Sequence, residues 1–376
     1  MKKIAALLLA LLLFTAIAFA EDGVTSGTGV EELLSGSGAE ELSEVIPPQA
    51  QQLLPNTDGG MGGVVDSVQP ATLLNTIAQM VKQYLQLPLT LLVSLCGVMV
   101  LCAMVEIFSQ TLSNTGSASL FQVLVSVAVA SLIVTPVVGC ITEAANTLQN
   151  FSVFITTFIP VFSGVLTAAG QPLTASAYNI FLFWICQTTA QLISSYFVPL
   201  LCGYLALTVI APVCPSLQLG KLVGGIRSFV VWGLTLTLTV FVGLLSIQSV
   251  VASSGDHLSV KTAKFMIGSL IPGVGGALSD LFVAAQGCIQ LAKGTLGAFG
   301  VVVTLFTFLP IVLQVTLWYL SLNIAALIGS ILGTNEVASL MKSTSSAVGI
   351  LLAVLLYDAL LVIISTTIII VAFGAR

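Results

Sequence analysis

Three basic side chains stand four and three residues apart in an otherwise apolar part of the chain: His257, Lys261 and Lys264. That spacing puts them on one face of a helix, and Asp256 or Ser254 just before them is the residue type that caps a helix start. A strip of this kind can hold anionic lipid headgroups or an acidic partner. It does not suit a metal, because His257 is the sole histidine and lysines are its neighbours. Leu270-Ile271-Pro272-Gly273-Val274-Gly275-Gly276 follows, and proline succeeded by glycines breaks a membrane helix and exposes backbone groups that must face protein or water. Ser253–Asp280 therefore reads as a re-entrant or amphipathic element. Its docking or structural residues are Asp256, His257, Lys261, Lys264, Pro272, Gly273 and Gly275.

Asp358 is the second candidate. It sits near the middle of LLAVLLYDALLVIISTT, where a carboxylate costs about 2.5–3.5 kcal/mol to insert. Two readings stand: a proton- or ion-coupling site, or a buried hydrogen bond to a Ser, Thr or Tyr of another helix. Glu106, at the end of the first apolar run, is explained by snorkelling to the interface. Enzymatic constellations are missing from the sequence: it has no Walker loop, no HExxH, and one histidine is too few for a credible Ser/His/Asp set. The expectation is a non-enzyme without cofactor or metal, whose energy source is a partner or an ion gradient.

The elements that position these residues are membrane helices. Hydrophobic residues make up 57% of the chain and charged ones 7%, against about 25% charged in a soluble domain. No charge occurs between Glu143 and Lys221, nor between Lys293 and Glu336, and a span needs about 20 apolar residues. The fold class is all-α: a polytopic helical membrane protein of about eight transmembrane helices, with a broken or re-entrant helix near 266–283. The spans fall at 87–108, 119–141, 151–169, 176–195, 196–213, 229–251, 298–328 and 345–373. Residues 176–213 form two tightly joined helices or one kinked one near Pro199, and Pro310 kinks or extends 298–328.

Three regions precede or make up this body. Residues 1–20 read as a cleaved signal peptide, with Lys2 and Lys3, an apolar run, and Ala18-Phe19-Ala20 as the cleavage site. Residues 21–86 form an extracytoplasmic head, rich in Gly and Ser, and the body occupies 87–376. Nine of the fifteen acids lie between Glu21 and Asp66, with no base among them. The head is a solvated tether, or its EELL and EELSEVI patches order as helical turns against a partner. Leu74, Ile77, Val81 and Leu85 at helical spacing give an amphipathic stretch lying on the membrane surface before the first span. The body lacks the basic surface that nucleic acid requires. The seven cysteines show no CxxC or ligand spacing and read as small buried residues.

Orientation is divided. Eight spans from an outside N-terminus put Lys221 and Arg227 in the cytoplasm, as the positive-inside tendency favours, but put Lys261, Lys264 and Lys293 outside, against it. Phe158–Thr167 also resembles Leu270–Ser279, both running through an Ile-Pro step. Paired helix breaks of that kind point to transporter-like repeats; the alternative is that Pro and Gly are simply common in packed membrane helices.

Val260-Lys261-Thr262-Ala263-Lys264-Phe265, then Ile271-Pro272-Gly273-Val274-Gly275 with Asp280, and Ser246-Ile247-Gln248-Ser249 before them, resemble one family. It is the stage III sporulation protein AE family of endospore-forming bacteria. The likeness is sharpest from Val242 to Lys293 and covers roughly the C-terminal three-quarters of the chain. The resemblance implies a role in endospore formation, as a membrane component of the stage III A complex. That complex is a channel or secretion-like apparatus joining mother cell and forespore. The implied location is the mother-cell membrane surrounding the forespore, with the head extracytoplasmic. The implied partners are other stage III A proteins and membrane lipids, in a homo- or hetero-oligomer. Asp358 lies outside the family pattern, and the alternative function is an ion-coupled secondary transporter with paired broken helices.

Cleavage after Ala20 predicts a mature chain starting at Glu21. Intact mass of the membrane-extracted protein checks it, and a chain starting at Met1 refutes both the cleavage and the outside-first topology.

Overall fold

The computed structural model describes residues 39–54, 70–111, 115–210, 219–270 and 275–374. Among them every regular element is helical, as a chain in hydrocarbon must be when each backbone group has to be satisfied within its own segment. Two short helices, α1 (Ala39–Glu44) and α2 (Pro48–Gln51), precede α3 (Pro70–Thr111), α4 (Thr115–Ala168) and α5 (Pro172–Leu192). A π-turn (Ile193–Phe197) leads into α6 (Val198–Ile210), then α7 (Leu219–Leu270), α8 (Gly275–Ile331) and α9 (Asn335–Gly374). Residues 1–20, read from sequence as a signal peptide, lie outside the described residues, as do Pro272 and Gly273.

Among the described residues, six helical segments are long and apolar enough to cross a membrane: Asn75–Met104, Leu124–Ala168, Pro172–Ala206, Ser228–Met266, Ile289–Ile331 and Asn335–Ile370. Eight were expected, and the difference has two physical causes. Residues 142–150 look like a polar loop between two spans, yet α4 runs through them because their polar groups find protein partners. Gln314 Nε2 donates to Glu143 Oε2 at 2.7 Å, Gln49 Nε2 donates to Thr147 Oγ1 at 3.3 Å, and Thr147 Oγ1 donates back to the Glu143 carbonyl at 2.9 Å. Pro199 does not end a helix either. The π-turn just before it widens the backbone where the proline lacks a donor and its ring crowds the preceding turn.

Pro136 and Pro160 likewise lie inside α4, and Pro310 inside α8. The Ile-Pro step at Pro160 is thus part of a continuous helix rather than a break. The amphipathic stretch over 72–87 and the first span are one helix, α3, whose Ile77, Val81 and Leu85 are half-buried. Part of the head packs on the body as well. Leu42 of α1, Ala50 of α2, and Ile46 and Leu54 next to these helices are buried in the common core, so this patch packs on the bundle.

The core is organised by an aromatic row. Phe151, Phe154, Phe158 and Phe162 recur every three or four residues along α4, with successive ring centroids 6.1, 5.5 and 5.5 Å apart. Phe308 meets Phe151 edge-on at 4.7 Å, and Tyr178 meets Phe162 at 5.2 Å. Gly300 and Gly297 of α8 lie opposite Phe158 and Phe162, where a side-chain carbon would collide with Phe158 at the first position and with Ile370 at the second. Small residues let the helices approach this closely. The pairs Glu143–Gln314, Phe151–Phe308 and Phe158–Gly300 run in opposite order along the two helices, so α4 and α8 are antiparallel.

Gly300→Ala should therefore destabilise the protein by about 1–3 kcal/mol through overpacking. Gly164→Ala, with open space at its Cβ, should be neutral or stabilising by up to about 1 kcal/mol. Thermal unfolding in detergent compares the two, and equal melting temperatures would refute the close approach.

Candidate functional site

The turn from α4 to α5 gathers the polar residues that the apolar bundle otherwise excludes. Gly170, at φ 77°, closes α4: its N–H donates to the Thr167 carbonyl and the Gln171 N–H to the Leu166 carbonyl, both at 3.0 Å. Two helix-closing bonds around a left-handed glycine are the usual way such a terminus is satisfied. Pro172 then opens α5 at the position where a missing N–H costs nothing. The residue before it is Gln171, which is not a capping type, so the next amides of α5 need an acceptor from elsewhere.

Asp256 supplies it from α7. Its Oδ1 accepts from the Leu173 N–H at 3.0 Å, and its Oδ2 accepts from the Thr174 N–H at 3.0 Å and the Thr174 hydroxyl at 2.7 Å. The side chain is 1% exposed. An ionised carboxylate offers only acceptors, so three donors converging on it suit the charge, and the helix N-terminus favours an anion there. This differs from the sequence expectation. Residues 254–256 lie well inside α7, which starts at Leu219, so Asp256 caps a distant helix rather than its own. Ser254 donates to the Val250 carbonyl instead, at 2.9 Å.

Lys293 of α8 approaches the same turn from the other side, donating from Nζ to Gln171 Oε1 at 3.3 Å. It is buried, as is Gln171. Neither of these two residues nor Thr174 was singled out from sequence. The available signals were the Gly-Gln-Pro turn and a lone lysine heading a long apolar run.

Asp256 and Lys293 both meet the α4–α5 turn, so residues 257–292 leave that level and return to it. The C-terminal turns of α7 and the first turns of α8 thus stand past the turn as two arms. From Asp256 to Leu270 the outgoing arm extends about 20 Å. His257, Lys261 and Lys264 are exposed on it, as are Leu258, Phe265 and Met266. The structure therefore splits the sequence's candidate set: Asp256 is buried in the bundle, the three basic residues are on the projecting arm, and Gly275 begins the return arm.

Asp358 lies elsewhere. It is half-buried in α9, two turns from Thr366, which meets Tyr178 of α5 at 3.4 Å. Tyr357 beside it is hydrogen-bonded to Thr189. Asp358 itself makes no hydrogen bond or ion pair among the described residues. No group of three His, Cys, Asp or Glu able to hold a metal occurs among the described residues.

The family model of stage III sporulation protein AE matches residues 62–373. The stage III sporulation protein AE of Bacillus subtilis (strain 168) is 26% identical over 263 residues, covering 70% of this chain and 64% of the relative. The matched region thus spans a little under two thirds of that relative's length. No solved structure matches.

Replacing Asp256 by Ala removes the acceptor of two amides and a hydroxyl. The expected loss is about 2 kcal/mol, at the upper end for a helix cap, since the amides are left without a partner. Asp256→Asn should retain roughly half of it. Unfolding midpoints in detergent measure the series, and an Ala variant as stable as the parent refutes the capping role.

Proposed function

Because this chain belongs to the stage III sporulation protein AE family, we propose that it is an integral membrane subunit of the stage III A sporulation complex. In this reading it helps build a channel or secretion-like apparatus between mother cell and forespore. It sits in the mother-cell membrane around the forespore, with its acidic head extracytoplasmic. Its matched relative is named for the same sporulation stage.

The observation that carries an assembly role is helix length. α4 has 54 residues and α8 has 57, or about 80 and 85 Å at helical rise, whereas the hydrocarbon layer is about 30 Å thick. Apolar side chains along such helices, exposed ones such as Leu124, Leu132, Leu320 and Ile331 among them, extend over more length than one bilayer covers, which supports protein neighbours on part of the bundle. The projecting α7–α8 arms are the docking element in this reading. Lys261 and Lys264 supply charge, and Leu258 and Phe265 supply apolar contact to an acidic, amphipathic partner subunit. Pro272 and Gly273, which the sequence marks as a helix-breaking step, fall between the two arms in the chain and lie outside the described residues. The secondary-transporter alternative drew on paired helix breaks. With α4 continuous through Pro160, its remaining support is Asp358, which makes no hydrogen bond or ion pair among the described residues.

Deletion in the native host should stop spore development after engulfment and leave vegetative growth unchanged; a growth-phase transport defect favours the carrier instead. Lys261→Glu with Lys264→Glu should lower spore yield at least tenfold and release partner subunits from the purified complex, with membrane insertion intact. Normal sporulation by that double variant would sink the docking role.

A further inference from the structure

A membrane imposes opposite demands on covered and uncovered helices. Polar side chains are tolerated where protein surrounds them and are costly where lipid does. The α5 span inverts this. The most apolar 18-residue stretch of Pro172–Ala206 has a mean hydropathy of 1.2, against 2.1–2.7 in the other five spans, yet only 25% of that stretch is buried inside the protein, compared with 83% for its counterpart in Asn335–Ile370. The least apolar span is among the most exposed.

The polarity is concentrated on one outward face. Gln187 and Gln191, one turn apart, are exposed, and Thr188 beside them is half-buried. None of the three makes a hydrogen bond among the described residues. The outward hydroxyls of α7 differ: Thr235, Thr237 and Thr239 each donate to the carbonyl four residues earlier, at 2.7 to 2.8 Å, and so suit lipid contact. A glutamine amide carries two donors and an acceptor, and a helix whose backbone is already hydrogen-bonded does not satisfy them. Along the same face runs an open groove of about 400 Å³, flanked by Trp184 and Tyr196, each 66% exposed.

We infer that the Trp184–Tyr196 face of α5 and its π-turn is a homotypic interface that takes the same face of a second copy of this chain. Three features select a second copy. A side-chain amide is its own complement, donating and accepting at once. Copies inserted alike meet in parallel about an axis along the membrane normal, which brings Gln187 and Gln191 of both to the same depth. The patch also carries both a groove and projecting aromatic rings, so each copy offers the knob that the other's groove receives. Finally, residues 172–206 contain no charge, so two copies meet without repulsion, while a charged partner finds no counter-ion there.

The test uses the full chain. A photo-reactive phenylalanine at Trp184 should crosslink two copies in the host membrane, with both linked peptides coming from residues 172–206. The same probe at Trp232, 62% exposed on α7, should give no homodimer. In phosphatidylcholine vesicles, energy transfer between donor- and acceptor-tagged copies should report self-association. Gln187→Leu with Gln191→Leu should raise its dissociation constant about tenfold or more, since interhelical hydrogen bonds in membranes contribute modestly each. Leucine suits both helix and lipid, so helix content and melting should be unchanged in that variant. A monomer at every dilution, a Trp184 crosslink only to lipid or to a different protein, or a Leu variant that associates like the parent each overturns the inference.

Discussion

The Asp256 carboxylate on the first amides of α5 is the interaction on which this architecture depends. A helix that begins inside an apolar bundle brings free N–H groups with it, and neither lipid nor apolar side chains can accept from them. Pro172 removes one donor, but Leu173 and Thr174 remain, and Gln171 is turned toward Lys293 instead. The acceptor must come from another helix, and α7 provides it across 83 residues of sequence. Burying the carboxylate costs several kcal/mol. Two amides, a hydroxyl and the positive end of α5 offset that cost only while α7 stays in register. A geometric requirement of one helix end thereby becomes a constraint on the placement of three helices.

The apolar contacts complete what this polar anchor begins. At the same end of the bundle the Phe151–Phe162 row of α4 is received by the glycines of α8, and Ile370 of α9 closes over Gly297. The α8–α9 hairpin repeats the closing logic at the other end. Gly333, at φ 84°, ends α8, and Thr334 donates to the Gly329 carbonyl from both its N–H and its hydroxyl, each at 3.0 Å. Its own carbonyl then accepts from Ala338 at 3.0 Å. Tight hairpins with left-handed glycines join the pairs α4–α5 and α8–α9, and the antiparallel contact of α4 with α8 joins the pairs to each other.

Sequence alone made the helical membrane body legible, because the long charge-free runs have no other physical explanation. It also drew attention to Asp256 as a residue suited to capping. What it could not supply was the partner. Capping chemistry is local in type but not in place, and nothing near Asp256 indicates that its amides belong to Leu173 and Thr174. The same limitation explains why α4 reads from sequence as two spans, 119–141 and 151–169. Polar side chains read as solvent-facing until Gln49 and Gln314, which satisfy them, are known to be near. Gln171 had no signal beyond its turn, and Lys293 was visible only as a charge bounding an apolar run.

The polar stretch in the middle of α4 also bears on how the bundle meets its membrane. Helices tilt by up to about 40°, so a layer about 30 Å thick encloses at most about 40 Å of a helix that is about 80 Å long. At least half of α4 therefore lies beyond the hydrocarbon in any orientation. Glu143 is exposed and Thr147 holds Gln49 of the head near the helix midpoint, with apolar runs on either side. An acidic head segment docked at that level is better satisfied by a water or headgroup boundary there than by hydrocarbon around it. With the boundary at that level, the bilayer would enclose one half of the bundle, and the apolar flank of the other half would need protein to cover it.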